Sequence, residues 1–356
     1  MTTPMSTAAL LSSSTLFTLA ALFGALPAQA ASPDAERAIQ FELDFDVVDV
    51  PFDGATNTEI FGINNAGHIV GSYLDADGVR HGFVRRYETF ESITAPGSTN
   101  TRSFGINDWG DITGFYRDAD NPSIQHGYLL DWCGTFTDVD FPDQTFNYAW
   151  GINNRRQITG YFFEFPSAEE IVITSFLRQR DGSYVSVPSS GGDGGNVFRG
   201  INDRGVRAGW NLPESGFVLT EQIEGMRHKK RKFRRFTAPD GLHTLPNDIN
   251  NRGVIVGHAA PSDFSETHGF RRSRRGRIDL FQVPGAETTV AQGINDRGVI
   301  VGWFEIHDHD HDHDQEIHAV HGFVGRLVKS TGSCHEPDDH EEGDHEEGDH
   351  EEGDHE

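Results

Sequence analysis

Histidine and aspartate alternate through His307, Asp308, His309, Asp310, His311, Asp312, His313 and Asp314. The chain then ends in a tail that sets His335, His340, His345, His350 and His355 five residues apart among Glu, Gly and Asp. Imidazole nitrogens flanked by carboxylates suit Zn²⁺, Ni²⁺ or Cu²⁺. The spacing is too regular to define one tetrahedral site, so loose binding of several ions is expected. A divalent-metal buffer outside the cytoplasm is the strongest form of that reading.

Charge offers a second chemistry. The chain carries 55 acidic and 29 basic residues, for a formal net charge of −26. The His/Asp run and the tail hold most of the excess carboxylates. Against them, Arg227, Lys229, Lys230, Arg231, Lys232, Arg234 and Arg235 crowd one stretch, and Arg271, Arg272, Arg274, Arg275 and Arg277 another. Such clusters grip polyanions: anionic polysaccharide, lipid headgroups or nucleic acid. Nucleic acid is the weakest of these for an exported, acidic protein.

Other chemistry-bearing residues read more plainly. His81, His126, His268 and His321 share one repeat position, where an imidazole bonds a neighbouring strand or loop. Asp75-Ala-Asp77 and Asp118-Ala-Asp120 lack the full spacing of a calcium loop. No nucleophile elbow, zinc-protease pair or phosphate loop occurs, and no catalytic residue is assigned. Cys133 and Cys334 are too few to staple a scaffold, and their pairing is open.

The elements that position these residues come from a repeat. Gly-Ile-Asn-[Asn/Asp]-x-Gly-x-Ile-x-Gly recurs six times with local departures, its first Asn at Asn64, Asn107, Asn153, Asn202, Asn250 and Asn295. A second unit follows as His81-Gly-Phe and its five equivalents, and a third runs into a proline. Each repeat reads as four short strands, the Asn/Asp-x-Gly step making a tight turn between the first two. Each Asn is expected to cap that turn rather than to serve as a ligand in the channel. Four strands in about 45 residues is the size of a propeller blade. Only five third units follow the six motifs, and the sixth match, Phe45 to Pro51, lies at the N-terminus. The fold expected is therefore an all-β, six-bladed β-propeller of four-stranded blades, closed by an N-terminal strand completing the last blade.

The repeat, followed by His-Gly-Phe, resembles the HAF-type extracellular repeat family of secreted bacterial proteins. Gly stands here where that family's name has Ala, and Arg155-Arg156 stands in the third repeat where the others have x-Gly. The resemblance implies secretion and a repeat fold, and carries no catalytic residue.

Residues 1–30 have the layout of a signal peptide, with an 11-residue apolar stretch from Leu16 to Leu26 and the triplet Ala28-Gln29-Ala30. No transmembrane segment is read. The organisation expected is a signal peptide at 1–30, a linker at 31–40, the propeller at 41–334 and a disordered acidic, His-rich tail at 335–356. A secreted or periplasmic monomer follows, a binding or scaffold module with an accessory metal-binding loop and tail. The alternative is a propeller enzyme, a lyase or hydrolase acting on polysaccharide or glycoconjugate.

Overall fold

A computed structural model describes residues 42–166, 171–187, 195–211, 215–224, 228–310 and 315–328. The signal peptide, the linker, the His311–His313 portion of the His/Asp run and the tail lie outside these residues.

The described residues form six antiparallel sheets of four strands. The first blade is β2 (Thr56–Ile63), β3 (Ile69–Leu74), β4 (Arg80–Arg86) and β5 (Thr89–Ile93), paired in sequence order. Four further blades repeat that order. The sixth is made of β22 (Thr288–Ile294), β23 (Ile300–Asp310), β24 (Gln315–Leu327) and β1 (Leu43–Val48). Leu43 faces Leu327 and Val48 faces Gly322 across β1 and β24. Phe45 packs on Phe281 of blade five and edge-on against Phe323. The N-terminal strand thus closes the ring and gives blade six the fourth strand that the other blades have. No helix among the described residues is long and apolar enough to cross a membrane.

The repeated glycines mark where backbones meet. A Cβ on Gly71, in β3, would lie 2.1 Å from the carbonyl oxygen of Glu59 and 2.6 Å from the Phe83 ring. The ring of His-Gly-Phe therefore fills the hollow left by the second-strand glycine, and Phe83, Phe176, Phe217, Phe270 and Phe323 are fully buried there. Blade contacts are equally close: a Cβ on Gly82 would meet Ser103 Oγ of blade two at 2.4 Å, and one on Gly322 would meet Ile60 Cδ1 of blade one at 2.7 Å. Alanine at this position, as in His-Ala-Phe, would force the blades apart.

Two hairpins run further than the repeat predicts. In blade four, β16 (Ser215–Glu224) and β17 (His228–Phe236) pair from Gly216 with Phe236 to Glu224 with His228, so Lys229 to Arg235 lie along a strand and not in a turn. In blade six, β23 and β24 stay paired to Asp310 with Gln315. His307 to Asp310 are accordingly strand residues, which corrects the expectation of a loop. In both, backbone pairing continues the ladder past the length of the other blades' hairpins.

Candidate functional site

Every first strand ends in the Asn turn, and the Asn does two jobs. Asn64 Oδ1 accepts the amides of Ala66 and His68, satisfying the turn as expected. Its Nδ2 also donates to the carbonyl of Asn107, 3.1 Å away in the next blade. The same bond passes from Asn107 to Asn153, Asn153 to Asn202, Asn202 to Asn250, Asn250 to Asn295 and Asn295 to Asn64. The six buried asparagines form a closed ladder around the axis.

A second ring lies beside it. The next residues are Asn65, Asp108, Asn154, Asp203, Asn251 and Asp296, a strict Asn/Asp alternation. Each side-chain oxygen accepts the backbone amide of the preceding blade. The three Asn amides bridge the three carboxylates: Asn154 Nδ2 reaches Asp108 and Asp203, and Asn251 Nδ2 reaches Asp203 and Asp296. Six like residues could not do this, since carboxylates alone would repel and amides alone would offer fewer acceptors. The alternation was visible in the sequence and identifies the ring. The recess here measures about 70 Å³, room for a few waters and not for a sugar.

Deeper in the channel the six-fold pattern breaks. A bulge in each first strand turns Phe61, Phe104, Trp150, Arg199, Asn247 and Gln292 into one buried layer. Phe104 and Trp150 stack at 3.9 Å, and the Arg199 guanidinium lies 4.0 Å over Trp150 while donating to Asn247. His258, touching Asn247, is pushed down to about 3 by burial, with Arg199 adding to the effect. Further along, Glu59 takes Arg80 and Arg102, and burial brings Arg102 down to about 10, still protonated at neutral pH. These groups hold one another and fill the channel.

The turns after the first strand and those after the third emerge at one end of an up-and-down blade. Contacts join them: His68 meets Tyr87 edge-on at 5.2 Å, and Gln157 Nε2 donates to Gln179 Oε1. On this turn face the two basic clusters adjoin. Arg272 stacks over Phe236 of blade four at 4.5 Å, and burial, helped by Arg234, lowers its pKa. Arg271 and Arg277 share the buried Asp279. Arg234, Arg235, Arg274 and Arg275 are exposed. Lys229, Lys230, Arg231 and Lys232 continue along β17, and Arg227 lies outside the described residues. The sequence reading missed an inner arc: Arg155, Arg204, Arg252 and Arg297 take the same exposed position in the turns of blades three to six.

Three of the four repeat histidines bond as expected, and His268 Nε2 lies 3.4 Å from Glu266. His81 meets Asp75 and Thr94, His126 meets Asp140 at 2.6 Å, and His321 meets Asp49 of the closing strand. His126, Asp138 and Asp140 place three candidate ligand atoms within 4.8 Å of one another, the one such group among the described residues. Tyr116 stacks on His126 and donates to Asp138, which gives this trio a structural use. Asp75 and Asp118 cap their own turns. Cys133 is exposed in a hairpin turn, and Cys334 lies outside the described residues.

No protein-family model and no curated protein matches the chain. Among solved structures it is similar to a streptogramin B lyase, with 13% identity, a TM-score of 0.39, and 81% of this chain and 98% of that chain covered. It is also similar to AofleA from Arthrobotrys oligospora (11%, 0.46, 82% and 90%). A third is XC5397 from Xanthomonas campestris, titled a gluconolactonase (11%, 0.41, 78% and 88%).

Proposed function

We propose that this chain is a secreted or periplasmic binding module that holds an anionic polymer on its turn face, and that it is not a catalyst. The observation that supports this most is the junction of blades four and five, where Arg234, Arg235, Arg274 and Arg275 are all exposed and Arg272 of blade five stacks on Phe236 of blade four. Arg234, Arg235, Arg274 and Arg275 present like charges side by side, and a polyanion would bridge them. The filled channel favours binding over turnover, because its titratable groups are tied to one another. The motif's likeness to the HAF-type repeat points the same way, towards export.

Immobilised heparin is the test. The chain should be retained and released by salt, and replacing Arg234, Arg235, Arg274 and Arg275 by Ala should move release to clearly lower salt. Flow-through of the unaltered chain, or turnover on a polysaccharide panel, would sink the reading. Metal binding by His307–His313 and the tail is an accessory part of it. Calorimetry should find several Zn²⁺ per chain, weakening as pH falls through about 6.5 and vanishing when both segments are removed.

A further inference from the structure

The three most exposed large apolar side chains among the described residues are Tyr87 at 78%, Trp132 at 67% and Trp109 at 66%. All three are aromatic, and all three sit in turns of blades one and two on the turn face. Trp109 occupies the turn position that Arg155, Arg204, Arg252 and Arg297 occupy in blades three to six. The inner turns therefore carry Trp109 in blade two and an arginine in each of blades three to six, while Tyr87 and Trp132 stand in the strand three–four turns of blades one and two.

Two details show that the aromatics are placed rather than left over. Trp109 Nε1 donates to the carbonyl of Asn154 at 3.1 Å, so its indole is held in one orientation over the neighbouring turn. Tyr87 has φ of +57°, a left-handed backbone that the hairpins of blades two, three and five reach with Gly134, Gly182 and Gly276. A bulky residue there costs about 1 kcal/mol of strain. It gains no burial in return. The two-residue turn between Arg86 and Thr89 demands a positive φ, which Gly, Asn or Asp would meet at less cost, so the exposed ring is not a requirement of the turn.

We infer that the turn face binds an acidic polysaccharide as a sugar chain, its rings stacked on Tyr87, Trp109 and Trp132 and its carboxylate or sulfate groups on the arginine arc. Flat indole and phenol faces match the apolar faces of pyranose rings, and guanidinium groups bind carboxylate and sulfate oxygens in pairs. This rests on the proposed polyanion-binding role and deepens it: charge alone would accept any polyanion, and the aromatic sector makes the sugar backbone matter.

The test compares polygalacturonate and dextran sulfate, which carry sugar rings, with inorganic polyphosphate, which has none. Affinities are measured at one salt concentration for the full chain and for Tyr87→Gly, Trp109→Ala, Trp132→Ala and the pair Arg252→Ala with Arg297→Ala. Each aromatic variant should weaken binding to at least one of the two polysaccharides by about tenfold and leave polyphosphate unchanged. The preferred acid is the polymer on which the arginine pair loses more, and that pair should weaken polyphosphate as well. Tyr87→Gly carries the most weight, since relief of strain should keep or raise its melting temperature while affinity falls. Aromatic variants that bind every polymer as the full chain does, or that weaken polyphosphate equally, overturn the sugar platform alone. A full chain that binds none of the three polymers overturns the proposed function with it.

Discussion

The asparagine ladder and the mid-channel layer lie three residues apart on the same six strands, yet one is uniform and the other is not. In the ladder each side chain serves backbone groups, and those are the same in every blade, so one residue type solves the problem six times. In the layer, side chains from six bulges converge on an axis too narrow for six copies of one ring. Two Phe, a Trp, an Arg, an Asn and a Gln share the space because a filled core needs unlike shapes. Repetition therefore persists where a side chain meets backbone, and is lost where side chains meet each other.

The largest break in this pattern is at the closing strand. Deleting residues 41–51 removes β1, its ladder with β24 and the Phe45 contacts in one step. The truncated chain should lose cooperative unfolding or melt far below the intact one, as read by circular dichroism. Equal melting would mean the ring does not depend on its seal.

The ladder itself comes next. Asn202→Ala would leave the amides of Arg204 and Val206 without their acceptor and remove one of the two donors to the Asn250 carbonyl, which keeps the Gly253 amide. Each unsatisfied buried group costs about 1–3 kcal/mol, so a loss of about 3 kcal/mol or more is expected in chemical denaturation. Gln292→Met, in the unlike layer, should cost about 1 kcal/mol or less, because Gln292 Oε1 already lacks a partner and the volume is conserved. Similar losses at the two positions would erase the distinction.

This difference also explains what could be read in advance. The blades, their number and the closing strand were legible because the glycines, the turn Asn and the His-Gly-Phe ring recur wherever backbones touch. The ladder between blades was not, since a capping Asn in one repeat says nothing of the carbonyl in the next. The arginine arc was hidden for another reason. Arg155, Arg204, Arg252 and Arg297 are about 45 residues apart in sequence and become neighbours only when the ring closes. Clusters contiguous in sequence, such as Arg271 to Arg277, drew notice first, although Asp279 takes up part of their charge.

Blade three sharpens the comparison at a single turn. Arg156 stands where other blades have Gly, with φ of +58°. Its guanidinium forms a bidentate pair with the fully buried Asp111 of blade two, both bonds at 2.8 Å. Arg156→Gly relieves strain but strands a buried carboxylate, for a net loss of about 2 kcal/mol. Adding Asp111→Val, the residue found at this place in blades four to six, should recover most of it. Additive losses in this double-mutant cycle would show that the two residues are not a pair.

A smaller effect than the ladder's concerns Asp248, which replaces the motif's Gly in blade five and carries a carboxylate into the channel. Burial pushes its pKa up to about 6, against the amides of Ile294 and Ile249 that donate to it, and the nearby charge of Asp296 adds to the rise. An unfolded Asp releases its proton near 3.9. Between about pH 4 and pH 6 the folded chain therefore holds more proton than the unfolded one, and stability from this residue falls as pH rises through that window. Asp248→Asn has the shape of the protonated acid and no titration. Below about pH 4 the two chains should have the same stability, apart from a constant offset. Above about pH 7 the variant should be the more stable relative to that offset, by about 1–2 kcal/mol after allowance for partial exposure. Denaturant unfolding at a series of pH values reads the difference directly. Curves that stay parallel from pH 4 to pH 8 would show that the carboxylate ionises at its ordinary pH, and that the channel at blade five tolerates charge as readily as its outer turns do.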